Sequence, residues 1–315
     1  MSEPTVRWVV AGTANRTLSS VAADLGSSGA EALADGRVFV DGRRVREPGL
    51  AVRPGSVVEL HPARSAEGDA TVLAEHGGFV FVDKPPGMAT EPDHAGVEAS
   101  LVARIARKLG VPRTTLHALS RLDVGVSGVV TLARNAEARE QAQELRARGA
   151  WHRRYVALAA SAPVPARGTW DHALAPPRGG RTGARAERDA ATRYAEIGRA
   201  GPVFAPARTG NVELWPALLA LAPITGRTHQ LRMHAAQAGV PLLGDATYGG
   251  PARLVLGGGA VRPLERVALH AAWVELELGG ERLRVVATPP ADLLALWSAL
   301  SGGDAAWPDA LETTL

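Results

Sequence analysis

The longest apolar stretches of this chain, such as 214–224, fall far short of the ~20 residues that a membrane helix needs. The chain must therefore bury its apolar side chains in a core of its own. Of its 315 residues 46% are apolar and 21% charged, a mix with ample core material. At about 150 residues per domain, the length points to two domains. The N-terminus shows no basic segment followed by a long apolar run and a cleavage site. The expectation is a soluble cytoplasmic protein with no membrane partner.

The chain contains no cysteine, which excludes disulfide scaffolds, zinc sites built on thiolates and thiol nucleophiles. Its net charge is only +3, and lysine occurs only at Lys84 and Lys108, so the basic side is almost all arginine. Arginines gather near the front (Arg37, Arg43, Arg44, Arg46, Arg53) and in the middle (Arg146, Arg148, Arg153, Arg154). Such groups serve either a solvated face or a nucleic-acid footprint.

Residues 1–61 read as a small α/β module. Two helix-competent stretches, 20–25 and 29–34, precede a short strand, a turn at Asp41-Gly42, a second strand through Val45, a turn at Pro54-Gly55 and a strand over 56–60. Residues 62–71 read as a linker, 72–300 as the main domain and 301–315 as a tail without a clear apolar pattern. In the main domain, strands are expected over 79–82, 129–133, 151–160, 214–221, 273–278 and 282–286. The proline-broken segment Lys84-Pro85-Pro86-Gly87 is a loop of fixed shape. Asn135 is placed to cap a helix ending near Arg148, Thr228 to cap one over 229–238, and a last helix covers 291–300. The polar, glycine-rich stretch 178–188 reads as a mobile loop.

Three segments can carry chemistry. In 119–128, residues two apart in an extended chain face one way, so Arg121 and Asp123 point together while Leu122 anchors inward. The glycines that follow permit a tight turn and close approach of a ligand to the backbone. An arginine beside an aspartate favours the carboxylate form, which suits a nucleophile or base; the plainer reading is a turn aspartate ending a strand. In 225–234, a turn opens directly into a helix, and its free N–H groups favour anions, with Arg227 at the mouth and Arg232 further in. His229 and His234 lie five apart rather than four, so no metal site is expected. In 153–157, Tyr155 flanked by arginines either stacks on a base or fills a half-buried core position.

Taken in order, these segments resemble the RluA-type RNA pseudouridine synthases. The family pattern is met by Lys84-Pro85-Pro86-Gly87, Arg121-Leu122-Asp123, Ser127-Gly128, Tyr155, the run Thr225 to Arg232, Gly244-Asp245, Tyr248-Gly249 and Leu269-His270-Ala271. The resemblance covers roughly 72–300. Departures stand at Ser120, where the family usually has histidine, and at Val126, where it usually has threonine. The front module is similar to the small RNA-binding domain named for ribosomal small-subunit protein four. Its usually arginine-bearing helix here reads Ser27-Ser28-Gly29-Ala30-Glu31.

The resemblance implies an α+β pseudouridine synthase fold: a mixed, mostly antiparallel sheet flanked by helices, with a central cleft. It implies isomerisation of uridine in ribosomal or transfer RNA without a cofactor; a monomer is the simplest reading of the chain. Asp123 would be the essential carboxylate, Arg232 its partner, and Tyr155 the ring stacked on uracil that assists removal of the carbon 5 proton. Arg121 would fill the gap left by an extruded uridine, since enzymes acting on a base flip it out. Lys84, Arg227 and His229 would be substrate contacts. Two rival readings are a non-catalytic RNA-binding or ribosome-assembly factor and a glycosidase. The glycosidase reading needs a second carboxylate, and no acidic residue is evidently placed for it.

Overall fold

The computed structural model describes residues 6–24, 27–45, 47–61, 68–94, 96–175, 187–207, 210–301 and 306–315. Arg46, most of the expected linker and most of the expected loop at 178–188 lie outside the described residues.

In the first sixty residues, strands Val6–Val9, Val57–Leu60, Val38–Val40 and Arg43–Val45 form an antiparallel sheet in that spatial order. Helices Leu18–Asp24 and Ser27–Ala34 cover it, and Leu18, Val21, Ala32, Val38 and Val58 bury the shared core. The Asp41-Gly42 hairpin stands where the sequence places it.

A ten-stranded sheet organises the rest. Its main path runs Arg167–Trp170, Thr192–Arg199, Ala217–Pro223, Trp151–Ala159, Leu269–Leu278, Ser127–Ala133, Phe79–Lys84 and Thr71–His76. Glu281–Val286 joins the far half of Leu269–Leu278, and His117–Ala118 joins Ser127–Ala133. The central strand Trp151–Ala159 shows why the sheet needs cover on both sides. Alternate residues face opposite ways, so Tyr155, Ala157 and Ala159 enter one core with helix Leu101–Lys108, Leu231 and Ala235. Val156 and Leu158 enter another, closed by Leu293, Leu296 and Trp297 of helix Ala291–Ser301. Helix Ala136–Ala147, capped by Asn135 as expected, packs Ala138, Ala142 and Leu145 against Phe79 and Phe81.

Among the described residues, every strand pairing in this sheet is antiparallel except one. Ser127 and Gly128 pair in parallel with His270 and Ala271. Gly128 has φ +109, and a Cβ there would fall 2.2 Å from the Ala271 carbonyl oxygen. Ser127 Oγ lies 2.9 Å from His270 Nδ1, and His270 Nε2 lies 2.9 Å from the Ala287 carbonyl. The Ser-Gly and Leu-His-Ala motifs thus fasten two strands together. Gly128 admits a neighbouring backbone rather than the ligand expected of the glycines after Asp123.

Three further expectations are corrected. The strand expected over 214–221 is two strands, Asn211–Leu214 in a separate four-stranded sheet and Ala217–Pro223 in the large one. Pro216 stands at the break, since proline has no N–H for a ladder. The helix expected from His229 runs Gln230–Gln237, and the residue at its cap is His229 rather than Thr228, which is exposed. The segment after 300 carries helix Ala306–Glu312, with Trp307 and Ala310 buried against the second core. Two buried side chains in seven residues are too few to read as a period. Among the described residues no helix is long and apolar enough to cross a membrane.

Candidate active site

Asp123 sits in the loop 119–126, whose shape is fixed from both sides. The hydroxyl of Thr90 donates to the Leu122 carbonyl and accepts from the Leu122 N–H, both at 3.1 Å. On the other flank, the Val124 carbonyl accepts from Gly87 N–H at 2.8 Å and from Lys84 Nζ at 3.4 Å. Ser120 Oγ accepts from Thr131 N–H at 3.0 Å, and Val126 is buried in the core. Both departures from the family pattern are therefore scaffold positions here. Leu122 points inward as expected, which leaves the Asp123 carboxylate to the cleft.

Helix Gln230–Gln237 brings the opposite charge. Its first turn is tied down by the side chain of Gln230, whose Oε1 accepts from Thr225 Oγ1 and Arg227 N–H. The Gln230 amide donates to the Ala191 carbonyl and to Thr192 Oγ1. His234 Nδ1 lies 2.9 Å from the same Thr192 hydroxyl. From the third residue of the helix, Arg232 Nη1 donates to Asp123 Oδ2 at 2.9 Å. Its Nε and Nη2 donate to the two oxygens of Asp245, each at 2.7 Å. Burial acts against the Arg232 guanidinium, but these hydrogen bonds outweigh it and hold its pKa above the ordinary value. Arg232 also lies over the Tyr248 ring, 5.0 Å from the centroid.

Asp245, 1% exposed at its side chain, is the acidic residue that sequence reasoning left without a role. Gly244 lets it approach, because at φ +76 a Cβ would fall 1.9 Å from the Arg266 carbonyl oxygen. The motif Gly244-Asp245 carried the signal; its partner is thirteen residues upstream in sequence. Both oxygens of Asp245 are committed to Arg232, so it orients a cation.

Tyr155, 8% exposed, lies on the same cleft wall. Burial pushes its hydroxyl pKa up, and Arg153 opposes that shift. Arg153 is itself held by Nη2 donating to the Thr225 carbonyl at 3.0 Å. The cleft, about 1370 Å³, is lined by Asp123, Tyr155, Arg232, His229, Arg121 and Arg227 among others. Arg121 is exposed there, and the guanidinium hydrogen-bonded to Asp123 is Arg232 rather than its sequence neighbour Arg121. Arg227 is exposed with Nε donating to the Asp189 carbonyl at 3.0 Å.

Lys84 does not fit the role of substrate contact. It is 0% exposed, and its ammonium donates to the carbonyls of Pro85, Met88 and Val124. It clasps the Pro85–Met88 turn to the Asp123 loop from below. Among the described residues no group of three histidine or acidic side chains could hold a metal ion.

The sequence profile of the RNA pseudouridylate synthases matches residues 78–237, which span the Asp123 loop, Tyr155 and Arg232. The chain is 31% identical over 291 residues to the ribosomal large subunit pseudouridine synthase D of Xanthomonas campestris, covering 86% of this chain and 83% of that one. It is 30% identical over 318 residues to the protein of the same description from Xylella fastidiosa, covering 92% and 90%. In fold it is similar to human RNA pseudouridylate synthase domain containing 1, at a TM-score of 0.55 and 22% identity, over 78% of this chain and 96% of that one. The family match and the two bacterial relatives, taken with the cleft that gathers Asp123, Arg232 and Tyr155, lead to one conclusion: the chain belongs to the RluA-type family and is an RNA pseudouridine synthase.

Proposed function

We propose that this enzyme isomerises uridine in ribosomal RNA with Asp123 as its essential carboxylate and without a cofactor. The relatives named for the large ribosomal subunit support ribosomal over transfer RNA as the target. The balance of atoms supports the absence of a cofactor. The bond from ring nitrogen to C1′ breaks, a bond from uracil carbon 5 to C1′ forms, and one hydrogen moves from carbon 5 to nitrogen. Nothing is oxidised, reduced or donated from outside.

The observation that carries the reading is the shared guanidinium. Arg232 is anchored on Asp245 by two hydrogen bonds and spends its third on Asp123 Oδ2. A carboxylate held by one oxygen keeps the other available for chemistry at the sugar or the base. Tyr155 provides an aromatic face for uracil beside that carboxylate and, with Arg153 against its hydroxyl, is assigned the proton on carbon 5. Exposed Arg121 and Arg227 lie on the cleft walls where RNA would pass; Arg121 is assigned to the gap left by the extruded nucleotide. The enzyme is assigned as a monomer acting in the cytoplasm. The front module, with its exposed Arg43 and Arg53, is assigned to RNA contact.

The test is Asp123→Asn, assayed by tritium release from RNA labelled at uracil carbon 5. Pseudouridine formation is expected to fall by at least about a thousandfold, with folding and RNA binding close to wild type. Retained turnover would reject Asp123 as the essential group. Mapping modified positions in ribosomal and transfer RNA from a strain lacking the gene identifies the target.

A further inference from the structure

Tyr248, His229 and Asp123 stand in a chain beside the catalytic cleft. The Tyr248 hydroxyl lies 2.8 Å from His229 Nδ1, and His229 Nε2 lies 3.6 Å from Asp123 Oδ1. Arg232 holds the other carboxylate oxygen, Oδ2. Oδ1 is thus the oxygen left for reaction, and the imidazole edge stands just beyond hydrogen-bond distance from it. His229 is also one of two non-glycine residues with a left-handed backbone among the described residues, at φ +54. That conformation costs energy for histidine and persists where surrounding structure enforces it.

We propose that His229 is a positioning residue for Asp123, with its tautomer set by Tyr248: the Tyr248 hydroxyl donates to Nδ1, so Nε2 keeps the proton and faces Oδ1. A neutral imidazole has one donor and one acceptor nitrogen. The nitrogen facing a carboxylate must be the donor, so the other accepts, and Tyr248 is the donor beside it. The Nε2–H then steers Oδ1 without capping it. Burial lowers the His229 pKa, with Asp123 and Asp245 opposing the shift and Arg232 adding to it. Burial also raises the Tyr248 pKa, so near neutral pH the ring is neutral and the phenol keeps its proton. The inference rests on the reading of Asp123 as the reacting carboxylate.

Two measurements on the full-length protein test it. The first is the nitrogen-15 spectrum of labelled histidines, where His229 is expected to show an unprotonated Nδ1 and a protonated Nε2. Tyr248→Phe is expected to give a mixture of tautomers. A protonated Nδ1 in the wild type overturns the proposal whatever the enzyme does. The second is tritium release from pooled ribosomal and transfer RNA transcripts. His229→Asn, which tolerates the left-handed backbone, is expected to lose about 10–100-fold in kcat with KM changed less than about threefold. Tyr248→Phe is expected to lose about tenfold, and the double variant to be no slower than His229→Asn alone, because both act through one interaction. Independent, multiplying losses, or a loss confined to KM, overturn it. If Asp123→Asn is inactive while His229→Asn keeps the full rate, only the role of His229 fails. If Asp123→Asn stays active, the reading of Asp123 fails first.

Discussion

Arg232 and Asp245 meet through two hydrogen bonds of 2.7 Å, side by side, in a site that leaves Asp245 almost wholly buried. This forked pairing fixes the plane of the guanidinium and so the direction of the remaining nitrogen toward Asp123. Asp245→Asn keeps the volume but leaves a buried cation short of its counter-charge. The expected cost is about 3–5 kcal/mol in urea unfolding, with a drop in kcat that exceeds any change in KM. A variant as stable and as fast as wild type would show that Arg232 does not depend on Asp245.

Lys84 acts through the chain beneath Asp123. Lys84→Met fills similar space but leaves the Met88 carbonyl, now 2.8 Å from the ammonium, without that donor. We expect a loss of about 1–3 kcal/mol and a lower kcat, because the Asp123 loop loosens. RNA affinity should stay within about twofold at low salt, because a buried ammonium contacts no phosphate. A fall in affinity with a shallower salt dependence would restore Lys84 as a backbone contact.

Gly128→Ala tests the parallel junction. The new methyl would meet the Ala271 backbone at 2.2 Å in a φ that alanine avoids, so the strands must part. The expected result is a protein destabilised by more than about 3 kcal/mol, or one recovered unfolded. Gly249→Ala is the control: that residue also has positive φ, but its added Cβ meets nothing within 4 Å. A loss of only about 1 kcal/mol is expected there. Equal losses in the two variants would refute the close-approach argument.

His270, buried between Ser127 and Ala287, should make the fold acid-sensitive. Burial pushes its pKa down from 6.5 to about 4. Above pH 6.5 the ring is neutral in both folded and unfolded chains, and its contribution to stability is fully present. As pH falls from 6.5 to 4, the unfolded chain takes up a proton that the native state refuses, so stability declines by about 3 kcal/mol. Urea titrations at stepped pH should show this slope in wild type and a flatter one in His270→Gln. Parallel curves would assign the acid loss to other groups.

The local parts of the fold were legible because their signals are local. Asn135 caps its helix and Asp41-Gly42 turns its hairpin through atoms a few residues apart. The strand expected over 79–82 showed as an apolar run between Gly78 and Pro85-Pro86 and runs 79–84, and the one expected over 151–160 runs 151–159. Strand Thr192–Arg199 did not show, since three of its five unburied positions carry charge and its buried residues, Thr192, Tyr194 and Ala195, follow no simple alternation. Within the site, Asp123, Arg232 and Tyr155 stood out through ordered motifs; Asp245 lay in one without a role attached, and Thr90 lay in none. The Thr90 hydroxyl grips Leu122 from thirty-two residues away, and no short pattern records such a contact.

The order of turns, caps and short apolar runs is written in the chain, since each depends on backbone geometry and side chains within a few positions. Which way a charge faces is not. By residue type and spacing alone, Lys84 and Arg232 are both cations near turns that suit an anion, and only the family resemblance pointed Arg232 to Asp123. Packing across 40 and 109 residues of sequence gives one to backbone carbonyls under a loop and the other to a carboxylate in a cleft. That outcome depends on which groups each charge can reach once water has been excluded, and only the folded arrangement of distant segments supplies those groups.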